Sequence, residues 1–208
     1  MKKLITIQHC QSVHHLNGMV GGATEWELTE TGKEQAANIG IKLKEKLRSD
    51  PGYVMFSSDM IRARQTAEAV AAQLGIEPIY CAELRELDLG SATGKSREWL
   101  HENQIKRPDG LPWLYHRLLP DAESMEDVYH RVLKRVEAID RAGHERVIVV
   151  GHGGSLSAFA AGWLKLPTAV LETMSLAGSA GGVSFFSEQD DMTRTLNVWN
   201  DTSYLTKN

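Results

Sequence analysis

The chain has 208 residues, 42% of them hydrophobic and 24% charged, a balance that supports a packed core and argues against disorder. The formal net charge is −4, so no global basic field recommends a nucleic acid or an anionic membrane as partner. Cys10 and Cys81 are too few for a disulfide framework and lack metal-ligand spacing.

The opening MKKLITIQHCQS has only a short apolar run, too short for a secretory h-region. Leu4–Ile7 predicts a buried strand that ends at Gln8-His9. Thr31 with Glu34 three residues on matches a capping box, and Ala36, Ile39, Leu43 and Leu47 continue at helical spacing. Tyr53–Phe56 predicts a second strand, followed by Ser57-Ser58-Asp59 and a helix over Ile61–Leu74. Glu77–Tyr80 predicts a short third strand.

Residues 91–122 lack clean periodicity and hold Gly94, Pro108, Gly110, Pro112 and Pro120, with Trp99 and Trp113 between them. A mostly irregular, lid-like insertion is expected there. Ser124 caps a helix to about Ala142, and Val147–Val150 reads as a strand buried on both faces. Gly151-His152-Gly153-Gly154 turns into a helix through Leu164, and Val183–Phe186 with Leu196–Trp199 predicts a closing hairpin. The sum is a single 1–208 domain, a three-layer α/β/α fold on a mostly parallel sheet. No stretch approaches the ~20 apolar residues of a membrane span, and a reducing, cytoplasmic location is expected.

His9 and His152 each follow a predicted strand directly, and ligands of open α/β sheets bind at the carboxyl ends of the strands. Taken singly, a strand-end histidine commonly just bonds a backbone carbonyl. Two of them, flanked by Cys10 or by Gly151, Gly153 and Gly154, favour a shared anion site, because glycines allow close approach and present bare N–H groups. Arg62 sits at the start of the helix after Ser57-Ser58-Asp59, where a guanidinium and helix N–H groups can both grip phosphate. Arg64 suits the solvated role. Glu86 stands with Glu83 and Asp88 in an acidic segment whose default reading is surface charge.

Five segments in order resemble the histidine phosphatase (phosphoglycerate mutase-like) superfamily: LTETGKEQA, FSSDMIRARQTAEAVA, LRELDLGSATG, PDAESMEDVYHRV and GHGGSL. The fourth carries Ala122 where the family usually has glycine. The resemblance implies that His9 accepts the phosphoryl group and that Arg62 and His152 hold its oxygens. It further implies that Glu86 protonates the leaving group, and the bare N–H of Gly153 is expected to meet the phosphate. It implies a small phosphorylated substrate, no cofactor and no metal. Nothing in it fixes the oligomeric state.

The sequence departs from the family at the first histidine, where arginine-histidine-glycine is usual and Gln8-His9-Cys10 stands instead. One full positive charge is lost, and Gln8 can offer only a neutral amide. Aligned without gaps, His15 falls where the family has a phosphate-contacting asparagine, with His14 beside it, so a part-time imidazolium is the expected replacement. The alternative is two solvent-facing histidines in an eroded loop. A metal site on His14-His15 is not expected, because adjacent residues point apart. Cys10 reads as a small packing residue rather than a nucleophile. Lys95, Arg97, Lys106, Arg107 and Arg117 place charge in the insertion, where a second anionic group or plain solvent would meet it. A phosphomonoesterase acting on a small phosphorylated metabolite is the expected activity, and a phosphoglycerate mutase-type phosphoryl transferase and a non-catalytic phosphate-binding or regulatory protein are the competing readings.

Overall fold

Strand β1 (Lys3–Gln8) enters the centre of a six-stranded sheet in the computed structural model, which describes residues 1–206. Lys207 and Asn208 of the expected 1–208 span lie outside the described residues. Helix α1 (Glu30–Lys46) leads to β2 (Val54–Ser57), then α2 (Ile61–Leu74) and β3 (Pro78–Tyr80). Helices α3 (Arg97–Asn103) and α4 (Met125–Arg141) precede β4 (Arg146–Gly151). Helices α5 (Gly153–Trp163) and α6 (Thr168–Leu171) come before the pair β5 (Val183–Glu188) and β6 (Arg194–Asp201).

The strand order is β3-β2-β4-β1-β5-β6, with β3, β2, β4 and β1 parallel and β5 antiparallel to both its neighbours. Side chains of a strand alternate between faces, and β4 shows why its sequence is apolar throughout. Val147 and Val149 pack toward α4 and α5, against Val132, Val136, Phe159 and Trp163. Ile148 and Val150 pack toward α1 and α2, against Ile39, Leu43, Ala67 and Val70. All four strand residues are fully buried, each contributing about 1.5–3 kcal/mol.

One expectation is corrected. Helix α1 starts at Glu30 and its cap is Thr29, whose hydroxyl accepts from Gly32 N at 3.0 Å, not Thr31 with Glu34. Both threonines suit a cap locally, and the tertiary contact selects Thr29: its hydroxyl donates to Gln11 Oε1 at 2.8 Å. The insertion is mostly irregular, as expected, and holds one short α-helix. Ser96 caps α3 by accepting from Trp99 N at 3.0 Å, and Val20, Ala92, Leu119 and Ala122 form a small core of their own with Trp99 and Leu100. Two helical turns are too few to show a period between prolines and glycines.

The loop after β1 rests on α1 through Gly32, where a β-carbon would stand 1.9 Å from Gln11 O. Gly32→Ala must therefore push the loop backbone away. A loss of about 1–3 kcal/mol in urea unfolding is expected, the range for overpacking, despite alanine's better helix propensity. Unchanged or raised stability would show that loop and helix do not pack in this way.

Candidate active site

The sheet itself sets the spacing of the two strand-end histidines. Gln8 pairs with Gly151 in register, and His9 N donates to Gly151 O at 2.9 Å one step beyond. On the other side of β4, Ser58 N donates to Val150 O at 2.9 Å. His9, His152 and Ser58 thus leave three adjacent strands together, and the two imidazole centroids lie 5.1 Å apart.

His9 is buried, and its Nδ1 lies 2.8 Å from Cys10 O. A carbonyl can only accept, so Nδ1 carries the proton and Nε2 keeps its lone pair. Burial, then the charge of Arg62, holds the His9 pKa well below its ordinary value, so the ring is neutral near pH 7. His152 is fully buried and depressed by the same two causes. Its Nε2 meets Ser58 Oγ at 2.9 Å, and its Nδ1 has no hydrogen-bond partner. An orphaned buried ring nitrogen is costly unless a ligand supplies its partner.

Arg62, in the first turn of α2, is 1% exposed. Its Nε donates to His9 Nε2 at 3.2 Å, and its terminal nitrogens donate to Thr24 O at 2.6 Å and Gly22 O at 2.8 Å. Burial lowers its pKa to about 10, opposed by Glu86 and Glu25, and it stays charged at pH 7. Among the described residues no carboxylate lies within ion-pair distance of it, whereas Arg64, half exposed, pairs with Glu68 at 3.5 Å. A buried guanidinium facing an imidazole lone pair, with only neutral acceptors, is the chemistry that suits an anion.

Glu86 closes the crevice at the start of α5, accepting from Gly154 N at 3.1 Å. A β-carbon at Gly154 would lie 2.5 Å from Glu86 Oε1, so the glycine is what lets the carboxylate approach. Arg131 of α4 holds the segment in place by donating to the carbonyls of Glu83, Arg85 and Glu86, while pairing with Glu123. The acidic segment is therefore more than surface charge.

Gln8 shares a strand face with Leu4 and Thr6 and turns its amide toward Gly153 and Gly178, lining a small crevice with Ser184 and Asn200. His14 and His15 depart from expectation. The turn Val13–His15 folds them back, with centroids 4.0 Å apart, and His15 stacks on His9 at 5.5 Å. His14 is buried rather than solvent-facing. Burial first, then neighbouring positive charge, pushes the His14 pKa down to about 3 and lowers that of His15, so neither is the part-time cation expected in the resting pocket. The cation this loop does hold is Arg97, which reaches back from α3 to donate to His14 O at 2.7 Å. Cys10 is buried, accepts no left-handed backbone, and has its thiol pushed up to about 12 by burial, which suits packing and not attack.

Sequence reasoning missed Ser58, Arg97 and Arg131. Ser58 stood inside a recognised motif without a role, Arg97 was one of several insertion charges, and nothing local marks Arg131.

The fold and the crevice together define an α/β protein with paired imidazoles and a buried guanidinium at the carboxyl edge of its sheet. The profile of the histidine phosphatase superfamily, branch 1, matches residues 4–202, and the chain belongs to that family. A 2,3-bisphosphoglycerate-dependent phosphoglycerate mutase from Bartonella tribocorum is 32% identical over 113 residues, covering 50% of this chain and 53% of its own length. The chain thus spans about half the length of the curated relatives it matches. Among solved structures, YhfR of Bacillus stearothermophilus superposes with a TM-score of 0.78 at 25% identity, covering 99% of this chain and 100% of its own. A mycobacterial glucosyl-3-phosphoglycerate phosphatase gives 0.77 at 23% identity, covering 96% and 98%, a likeness of fold. No helix among the described residues is long and apolar enough to cross a membrane.

Proposed function

We propose that the chain is a phosphomonoesterase for a small phosphorylated metabolite, acting through a phosphohistidine on His9. The observation that carries this reading is the buried Arg62 guanidinium, unpaired with any described carboxylate and aimed at the His9 lone pair. His9 Nε2 attacks phosphorus as the ester P–O bond breaks, and the departing alkoxide takes a proton from Glu86. Arg62 leaves His9 for the phosphoryl oxygens, and the open Nδ1 of His152 meets another. Water then attacks the phosphohistidine, Glu86 takes its proton, and inorganic phosphate leaves with Nε2 restored. The N–H groups of Gly153 and Gly154 open α5 and favour negative charge there.

The names of the similar proteins, a glucosyl-3-phosphoglycerate phosphatase and phosphoglycerate mutases, support phosphatase or mutase chemistry in general. A mutase would share the first half and pass the group to a second hydroxyl instead of water. Gln8 in place of the family arginine favours a second reading, a phosphate-binding protein without turnover.

A panel of phosphorylated metabolites assayed for phosphate release tests the proposal, with Glu86→Gln as the informative variant. Glu86→Gln is expected to slow alkyl phosphates by about 10²–10⁴-fold, the usual worth of a positioned acid, and aryl phosphates far less, since phenolates leave unaided. Equal losses for both classes would remove Glu86 from proton transfer. Tight phosphate binding with no release from any ester would favour the non-catalytic reading.

A further inference from the structure

We infer that the loop after β1 is also a divalent transition-metal site, built from His9, His14 and His15. One ring nitrogen from each lies within 4.8 Å of the others. Ligand nitrogens on one tetrahedral zinc-class ion stand roughly 3.4 Å apart, given Zn–N of ~2.1 Å, so the rings need to close by up to about 1.4 Å. Three imidazoles suit zinc, cobalt, nickel or copper and leave a fourth position open.

The outer contacts of such a site are already in place. Bound histidines hold their second ring nitrogen on a carbonyl, carboxylate or similar partner, which aims the first at the metal. His9 Nδ1 is on Cys10 O, and His14 Nδ1 is on Ser12 Oγ, so both Nε2 atoms are free of those bonds. His15 is the adjustable ligand, since its Nδ1 now accepts from Ser12 N at 3.0 Å and must release that bond or turn. Arg62 also has to let go of His9 Nε2, and with Arg97 it opposes a bare dication. An anion in the fourth position, hydroxide or a phosphate oxygen, offsets that opposition and faces Arg62.

The consequence for activity rests on the phosphatase reading. The electron pair that binds metal at His9 Nε2 is the pair that attacks phosphorus, so metal occupancy and phosphohistidine formation exclude one another. The site acts as a metal-dependent brake on the nucleophile.

The test uses the untagged full chain, stripped with chelator and titrated with Co²⁺ and Zn²⁺ near neutral pH. One equivalent is expected, with visible Co²⁺ absorption of a low-coordinate nitrogen site. His14→Gln and His15→Gln should each weaken binding at least about tenfold, since even indirect changes at such sites cost ~10–100-fold. His130→Gln and His144→Gln, elsewhere on the molecule, should leave it unchanged, and circular dichroism checks that each variant folds. In parallel, acid-labile labelling of His9 by a phosphodonor should be blocked by one equivalent of Zn²⁺ and return with chelator. No binding, or binding indifferent to His14 and His15, overturns the site, and normal labelling in the same experiment leaves the phosphatase reading standing. Stoichiometric binding with undiminished labelling overturns the exclusion.

Discussion

His9→Ala is expected to reduce phosphate release to the uncatalysed background, a loss on the order of 10⁴–10⁶-fold by comparison with nucleophile removals in other covalent enzymes. The size follows from the proposed route. The Nδ1–H bond to Cys10 O fixes the one tautomer whose lone pair faces the crevice, and depressed basicity keeps that pair unprotonated at pH 7. Among the described imidazoles, that of His9 is the one that accepts from Arg62. His152 uses Nε2 on Ser58 Oγ, while His15 Nδ1 is engaged with Ser12 N. The protein should still fold, because His9 lies past the end of β1 and the strand keeps its apolar core. Initial rates on the best ester, with acid-labile and base-stable labelling of the parent, check this. A variant that retains more than about 1% of the parent rate, well above that range, would move the nucleophile elsewhere.

Arg62→Met comes next in size. Arginines aimed at a transferring phosphoryl group are worth about 10³–10⁵ in rate, and here the family's other arginine is already replaced by Gln8. Phosphate affinity and turnover should therefore fall together by that order. Methionine also leaves Gly22 O and Thr24 O without their donor, costing about 1–3 kcal/mol of stability for each buried acceptor, so unfolding must be measured alongside. Arg62→Lys separates the two roles. It keeps the charge but not the planar fork, and should recover part of the affinity while staying far below the parent in rate. Full activity in either variant would remove Arg62 from the site.

Much of this was legible in the chain because the informative signals are local. A run such as Val147–Val150 has a single good solution, a parallel strand covered on both sides, and His9 and His152 follow their strands immediately. Arg62, near the helix start, was preferred to Arg64 two positions on, and the burial of one and half-exposure of the other follow that order. What stayed hidden depends on partners distant in sequence. Thr29 is chosen over Thr31 by Gln11, and Arg131 finds the Glu86 segment 45 residues away. The insertion's small core joins Val20 to Leu119, a pairing no window of the sequence contains. The back-folding of His14 and His15 was missed because the rule that neighbours diverge holds for helices and strands, not for a single tight turn.

The pairing of β1 with β4 has a consequence for how such a protein can diversify. Neighbouring strands stand about 4.8 Å apart wherever they run, and the two imidazoles emerge one residue beyond a bonded pair, at 5.1 Å. Their separation is inherited from the backbone lattice and is close to the width of a phosphate, so no loop has to measure it. Drift in the insertion or in the segment around α6 can reshape what is admitted without retuning the step that follows. On the phosphatase reading proposed above, chemistry and selectivity fall to separate parts of the chain, and an exchange of residues 91–122 for a foreign segment should alter which esters are accepted before it alters how they are cleaved.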